Sequence, residues 1–227
     1  MRRRLISLLL SCTCMQASAA CGDPPALRDF ASRAYGSQIA FEVLRNGRRV
    51  GQHVTRFIPD GAGLTVETTM DLRITFLKIP VHRFHYESST RWCGERLVAL
   101  QASNTTNGVT EQLSAHAVDG ALMVSGPHGE FSAAPEILPT DHWNPAVLDD
   151  EIVLNTLTGR LNRVAISLCR DGAGYGGLAP PGAQCYAYTG DLEKTRSWYV
   201  DGRWVGLEFE ASDGSTISYV CSGCSGS

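Results

Sequence analysis

The sequence lacks a long apolar run after its first ten residues, although 43% of its 227 residues are hydrophobic. A helix that spans a bilayer needs about 18 or more predominantly apolar residues in a row. No later stretch reaches that length. We therefore predict no transmembrane segment in the mature chain, while peripheral contact with the cell envelope is compatible with the sequence.

Basic residues are also scarce once the first few positions are set aside. Removing the three arginines at positions 2–4 from the 20 Lys and Arg residues leaves 17, against 23 Asp and Glu residues, a net charge of about −6. Proteins that bind the phosphate backbone of nucleic acids need clustered Lys and Arg side chains. We predict no nucleic-acid partner.

Sequence motifs that indicate a particular reaction are absent as well. The chain contains no GxSxG turn, no HExxH helix and no Gly-rich phosphate loop. His82 and His85 lie three residues apart on a predicted strand, so that they point to opposite faces and cannot both bind one metal ion. We therefore predict neither a metal site nor a cofactor.

What stands at the beginning of the sequence is an export signal. Arg2 to Arg4 form its charged region, Leu5 to Leu10 its apolar region, and residues 17–19 supply the small side chains that a signal peptidase requires. We expect cleavage after Ala19 or Ala20 and a periplasmic or secreted protein. A lipoprotein is the alternative that the sequence favours less.

Six of the eight cysteines follow the predicted signal peptide: Cys21, Cys93, Cys169, Cys185, Cys221 and Cys224. An even number of cysteines in an exported chain favours disulfide bonds. Cys169 and Cys185 lie at the ends of two predicted strands that flank one loop. We predict that these two residues are bonded to each other.

The remaining cysteines leave several pairings open. Cys93 lies at a predicted hairpin turn and could pair with Cys21 or with one of the two terminal cysteines. Cys221 and Cys224 have the CxxC spacing of thiol redox pairs and zinc half-sites. We favour a structural disulfide for them, with metal capture and redox chemistry as alternatives, because the pair ends a strand and does not open a helix.

Alternating polar and apolar residues dominate the rest of the chain. The clearest pattern is Leu64 to Phe76, a predicted strand about 43 Å long at about 3.3 Å per residue. Asn-Gly and Asp-Gly pairs, such as those at 46–47 and 107–108, are typical of hairpin turns. We predict an all-β fold: a single antiparallel, strongly curved sheet or half-barrel, made of two meanders near residues 38–135 and 160–221.

Two segments depart from the strand pattern. The apolar residues of ALRDFASRAY, at positions 26–35, have helical spacing, which predicts a short N-terminal helix against one end of the sheet. Leu138 to Arg160 joins the two meanders, and we predict a short helical plug near 144–150 with Pro145 at its first position. The expected domains are a signal peptide (1–20), one β domain (21–221) and a flexible tail (222–227).

The joining segment also carries the candidate site. His142, Trp143 and Asn144 could line the mouth of a cavity, where the indole ring offers apolar area and the two polar side chains orient a ligand. The structural alternative is that Asp141 or Asn144 caps the short helix and that Trp143 plugs the end of the barrel. Further candidate ligand-binding residues lie on predicted strands: Phe84, Tyr86 and Trp198.

The chain resembles a family of exported bacterial proteins catalogued only as a domain of unknown function. The resemblance covers residues 38–220 and depends on four features: Thr75-Phe76-Leu77, the strand Tyr86 to Trp92 followed by Gly94 and Leu97, His142-Trp143-Asn144, and the hairpin Trp198 to Trp204. It implies no particular activity. Such proteins look similar in outline to periplasmic carriers of the lipoprotein-carrier type, in which a curved sheet wraps around a hydrophobic cavity.

These observations lead to one predicted function and two alternatives. The prediction is an exported binding or carrier protein for a hydrophobic or amphiphilic small molecule. The first alternative is a hydrolase or transferase of the cell envelope, with His142 as general acid or base and Asp141 or Asn144 orienting the substrate. The second is an envelope scaffold that binds another protein through an exposed strand edge.

Overall fold

The computed structural model describes residue 21, residues 26–76, 79–170 and 179–222, and residue 224. The predicted signal peptide lies outside these residues, as does most of the predicted tail. Within the described ranges, no helix is both long enough and apolar enough to cross a membrane.

The first element is the helix α1, Ala26–Tyr35, at the position that the sequence predicts. It buries Leu27 and Ala31, one turn apart, and it ends at Gly36, whose φ of 65° suits glycine in particular. The strands follow in chain order: β1 Gln38–Arg45, β2 Arg48–Asp60, β3 Gly63–Phe76, β4 Ile79–Cys93, β5 Arg96–Thr106, β6 Val109–Val118, β7 Ala121–Gly126, β8 Gly129–Ala133, β9 Leu138–Pro139, β10 Ile152–Leu154, β11 Leu161–Leu168, β12 Gln184–Gly190, β13 Arg196–Val200, β14 Arg203–Glu210 and β15 Thr216–Cys221.

The described strands form one open, curved sheet in the order β8-β7-β6-β5-β4-β3-β2-β1-β15-β14-β13-β12-β11-β10-β9. Strands that are consecutive in the chain are neighbours from β1 to β8 and from β9 to β15. The first and last strands meet in the middle, where Phe41 of β1 lies opposite Cys221 of β15. The prediction of a single curved all-β sheet is confirmed.

The prediction of a wholly antiparallel sheet is wrong for one pair of strands. β9 and β10 run parallel, with Val153 opposite Leu138. Residues 140–151 connect them and contain a 3-10 helix, Pro145–Asp149, in the region of the predicted plug. A parallel pair needs a crossover of this kind, because the chain has to return before it can run in the same direction again. Strands β8, β9 and β10 are too short to give a clear alternating pattern.

The inner face of the sheet follows the predicted alternation in β3. Leu64, Val66 and Met70 are buried on this face. Thr68 shares the face and is only 4% exposed, and its hydroxyl lies 3.0 Å from the hydroxyl of Thr55 on β2. The apolar stripe of β3 is therefore interrupted by a buried polar pair.

Three disulfides join the six cysteines of the predicted mature chain. Cys169 is bonded to Cys185, as the sequence predicts. Cys21 is bonded to Cys93 and ties the start of the described chain to the turn between β4 and β5. Cys221 is bonded to Cys224 at the end of the last strand. Of the pairings that the sequence left open, the structure contains the one with Cys93 bonded to Cys21.

Candidate functional site

Trp143 anchors the crossover segment 140–151 in the core. The side chain is 1% exposed, and its ring makes edge contacts with Phe57 and Trp92 at centroid distances of 5.3 and 5.6 Å. Its carbonyl oxygen accepts a 2.7 Å hydrogen bond from the hydroxyl of Tyr35 on α1. This position matches the structural alternative, in which Trp143 plugs one end of the sheet.

Asn144 caps the 3-10 helix that follows Trp143. Its backbone is extended, and its side-chain oxygen accepts a 3.2 Å hydrogen bond from the backbone N–H of Ala146. Pro145 takes the first helical position, where a missing N–H costs nothing. Asn144 is 5% exposed, and its side chain is committed to the helix cap.

A cavity of about 220 Å³ lies beneath this segment, against the inner face of the sheet. Strands β2, β3, β4, β14 and β15 provide half of its lining residues, and the remainder come from the crossover segment, from residues 155–157 and from Leu192 and Thr195. The lining combines polar groups with aromatic rings and includes His53, Met70, Tyr86, Asp141, His142 and Trp204. Trp143 also contributes to the wall.

His142 is held in the cavity wall by two tyrosines. Its backbone carbonyl accepts a 2.9 Å hydrogen bond from the Tyr199 hydroxyl, and its Nδ1 lies 3.2 Å from the Tyr188 hydroxyl. Ser197 donates a 3.3 Å hydrogen bond to the same Tyr188 hydroxyl, which ties the His142 ring to β12 and β13. Burial lowers the pKa of His142 to about 4, so the ring is neutral at pH 7.

His53 on β2 is a second neutral histidine in the wall. Its Nε2 lies 3.2 Å from the hydroxyl of Thr55, and its Nδ1 is buried with no hydrogen-bond partner among the described residues. Burial lowers its pKa to about 3, and the nearby His142 adds to the shift. The ring of His53 contacts the Trp204 ring edge-on at a centroid distance of 5.6 Å.

Asp141 presents the acidic group of the cavity. Burial raises the pKa of its carboxyl to about 6. The carboxylate in turn adds to the effect of burial in raising the pKa of Tyr86, which places the two groups near each other. The Tyr86 hydroxyl donates a 2.9 Å hydrogen bond to Thr156 on the far side of the crossover segment.

The structure places the predicted ligand-binding residues in four different surroundings, and Asn144 lies in the cap of the 3-10 helix and does not line the cavity. His142, Trp143 and Tyr86 meet at the cavity. Phe84 lies further along β4, where it lines a separate surface groove with Val50 and Leu72.

Trp198 lies on the opposite face of the sheet from the cavity. It is buried with Val205 and is covered by Ala183 and Cys185. Successive side chains of a strand point to opposite faces, so that Ser197 and Tyr199 face His142 while Trp198 faces away from it.

Sequence reasoning missed the polar residues that β2 and β3 contribute to the cavity, above all His53, Thr55 and Thr68. One signal was available. His53 and Thr55 alternate with Phe57 along β2, which places all three on the face that Phe57 buries. Polar residues on the buried face of a strand need hydrogen-bond partners or a solvent-filled space. Here the three polar side chains are hydrogen-bonded to one another and line the cavity.

In the described part of the chain, no group of three or more His, Cys, Asp or Glu side chains is placed to hold a metal ion. The CxxC cysteines are bonded to each other, away from the cavity. The site therefore offers hydrogen-bonding groups, one carboxylate and aromatic surface.

These features define an all-β protein with one open, curved sheet and a small, partly open cavity beneath the crossover segment 140–151. Residues 41–222 match the family described as "Domain of unknown function (DUF6134)", and the chain belongs to this family. The family resemblance that the sequence indicated is confirmed. Neither a curated protein nor a solved structure matches the chain, and the likeness in outline to lipoprotein carriers stays a prediction.

Proposed function

We propose that this protein is an exported binding protein that holds a small hydrophobic or amphiphilic molecule in the cavity beneath His142 and Trp143. The observation that carries the proposal is the cavity of about 220 Å³ itself. The space is concave and partly open to solvent, so that a small molecule can enter it. Small-molecule sites are typically concave and apolar, with a few polar groups that fix orientation.

The volume limits the size of the ligand. A cavity of about 150 Å³ holds a benzene molecule, whereas pockets for drug-sized molecules measure about 300–1,000 Å³. A volume of about 220 Å³ therefore suits a single ring or a short chain. A lipid with two acyl chains, or the acyl groups of a lipoprotein, would require a larger space.

The polar groups of the wall support an amphiphilic ligand. The imidazole of His142 and the carboxyl of Asp141 line the cavity beside the apolar surfaces of Met70 and Trp204. Such a wall can orient a polar head while the rest of the molecule contacts rings. The three disulfides support export, because disulfide bonds persist in oxidising compartments.

The enzyme alternative has less support from the same contacts. The side chain of Asn144 is used by the helix cap, and His142 is hydrogen-bonded to Tyr188. A histidine whose pKa lies near 4 is also a weak base at neutral pH. The scaffold alternative stays a prediction.

Thermal unfolding with a ligand panel tests the proposal. The panel comprises single-ring aromatic compounds and fatty acids of six to ten carbons. In a second measurement, native mass spectrometry of freshly purified protein identifies molecules that co-purify with it. Binding to the folded state alone stabilises it by about 2.7 kcal/mol at a ligand concentration one hundred times Kd. We expect at least one class of compound to raise Tm and to change tryptophan fluorescence.

A matched pair of variants connects binding to the cavity. Leu207→Trp places a large ring at a lining position, while Leu168→Trp makes the same change at a side chain that is 59% exposed. Leu207→Trp should abolish the ligand-induced rise in Tm, and Leu168→Trp should retain it. A wild-type protein that responds to no compound, or a Leu207→Trp variant that binds as well as wild type, would overturn the proposal.

A further inference from the structure

The carboxylate of Asp141 has no counter-charge in the structure. Among the described residues, burial alone shifts the pKa of this carboxyl, with no hydrogen bond or charged neighbour contributing, and no Lys or Arg lines the cavity. Partial burial weakens the hydration of a carboxylate. Asp141 lines the cavity and keeps part of its surface exposed, so a cationic group in the cavity competes with water for the carboxylate.

The neighbouring titratable groups cannot supply that charge. His53 and His142 are neutral at pH 7, because burial lowers the pKa of both rings far below this pH. Tyr86 and Tyr219 also face the cavity, and burial raises the pKa of both phenols, so they are neutral as well. At pH 7.5, a carboxyl with a pKa of about 6 is ionised in most molecules. The lining therefore carries a net negative charge.

Aromatic side chains surround this charge. Tyr86, Trp204 and Tyr219 line the cavity and are each buried to more than nine-tenths, and Phe209 joins them. Aromatic faces attract cations, and the attraction increases when the cation is removed from water. A carboxylate together with several rings is the combination that recognises ammonium groups.

We propose that the cavity binds a small organic cation, a compound with one ammonium group and about one ring of apolar surface. The ammonium group lies beside the Asp141 carboxylate, and the apolar part contacts Trp204 and Tyr219. This inference rests on the proposed function and specifies the ligand class of the same cavity. A neutral or anionic ligand would leave the carboxylate unpaired.

Isothermal titration calorimetry with three compounds of similar shape tests the charge preference. The probes are benzylamine, which is a cation from pH 5 to 8, benzyl alcohol, which is neutral, and benzoate, which is an anion. At pH 7.5 we expect benzylamine to bind wild-type protein at least tenfold more tightly than benzyl alcohol, and benzoate to bind weakest. Equal or tighter binding of benzyl alcohol or benzoate would overturn the inference and leave the proposed function standing.

Two variants locate the charge that the amine recognises. Asp141→Asn removes it with little change of shape, while Asp149→Asn removes an exposed carboxylate from the same crossover segment. Asp141→Asn should bind benzylamine and benzyl alcohol with similar affinity, and Asp149→Asn should keep the wild-type preference. An undiminished preference in Asp141→Asn would contradict the inference.

A pH series on the wild-type protein gives an independent readout that needs no variant. The affinity for benzylamine should fall about tenfold between pH 7 and pH 5, because Asp141 takes up a proton near pH 6. The affinity for benzyl alcohol should stay constant over the same range. A benzylamine affinity that does not change with pH would overturn the inference, whereas failure of all three probes and of the wider panel would remove the proposed function itself.

Discussion

Surroundings alone shift the pKa values of the histidines of this protein in opposite directions. His85 is exposed on β4, and its hydrogen bond with Asp71 raises its pKa above the ordinary value. His53 and His142 face the cavity, and burial lowers their pKa values to about 3 and about 4. The buried rings can therefore act as neutral hydrogen-bonding groups at pH 7.

The buried histidines should make the fold sensitive to acid. Their folded pKa values lie below the unfolded value of about 6.5, so their contribution to stability is complete above pH 6.5 and is lost as the pH falls towards 4 and 3. Between pH 6.5 and 4.5, protonation linked to each ring should lower the free energy of unfolding by at most about 3 kcal/mol. Asp141 acts in the opposite direction, because its raised pKa stabilises the fold as the pH falls below about 6.

Urea unfolding at pH 7.0 and 4.5 measures this effect. His142→Phe removes one of the two buried imidazole rings. The drop in unfolding free energy between pH 7.0 and 4.5 should therefore be about 2–3 kcal/mol smaller in this variant than in wild type. His116→Phe, at an exposed position on β6, should behave like wild type. An acid sensitivity that is the same in His142→Phe as in wild type would show that this ring does not stay neutral in the folded state.

At the level of elements, the crossover segment 140–151 is held by contacts from several directions. Tyr35 of α1 donates to the carbonyl of Trp143, and Tyr199 of β13 donates to the carbonyl of His142. The Asn144 cap fixes the start of the 3-10 helix. Two core tyrosines and one local cap thus set the position of the wall that carries Asp141.

Removing the cap tests how far this local contact stabilises the segment. Asn144→Ala should lower the free energy of unfolding by about 1–2 kcal/mol, because the N–H of Ala146 loses its acceptor. Asn144→Asp keeps an oxygen in the same place and should recover most of that loss. Urea unfolding curves provide the measurement. A difference below about 0.3 kcal/mol between Asn144→Ala and wild type would show that the cap contributes little.

At the level of the whole molecule, the sheet depends on contacts between residues that are far apart in the sequence. β1 pairs with β15, and the Cys21–Cys93 disulfide closes a loop with a sequence separation of 72. The Cys169–Cys185 and Cys221–Cys224 bonds have separations of 16 and 3. The loop-closure entropy that a disulfide removes from the unfolded chain grows with this separation.

Replacing each cysteine pair with alanine should therefore destabilise the protein in the order of loop length. Chain entropy gives about 4 kcal/mol for the Cys21–Cys93 pair, about 3 kcal/mol for the Cys169–Cys185 pair and under about 2 kcal/mol for the Cys221–Cys224 pair. Unfolding free energies of the three double variants test the ranking. A larger loss from the Cys221–Cys224 pair than from the Cys21–Cys93 pair would mean that local packing outweighs the entropy of the unfolded chain.

Features that depend on neighbours in the sequence could be predicted closely. The helix at 26–35 and the long strand β3 have the expected bounds to within a residue, because each has a regular period. The turn residues also behave as expected: Asn46 and Asn107 have φ angles of 48° and 51°, which suit the hairpin turns predicted from Asn-Gly. The Cys169–Cys185 bond could be predicted because its two strands are adjacent in the chain.

The arrangement of the candidate site could be predicted only in part. The sequence indicated the segment with Asp141, His142 and Trp143, because it interrupts a chain of strands. It could not show that Trp198 faces away from the cavity, since no local pattern indicates which face of β13 is covered by the cavity and which by a loop. The parallel pairing of β9 with β10 was also hidden, because it involves five residues in all.

The sequence by itself determined the longer strands, the hairpin turns, the first helix and the family, because these follow from the spacing and the type of neighbouring residues. Only the tertiary structure decided which side chains share the cavity, since they come from strands far apart in the chain. It also decided the charge of the site. The same burial that keeps His53 and His142 neutral leaves the Asp141 carboxylate without a counter-charge, and the cost of desolvating a charge depends on everything that surrounds it in space.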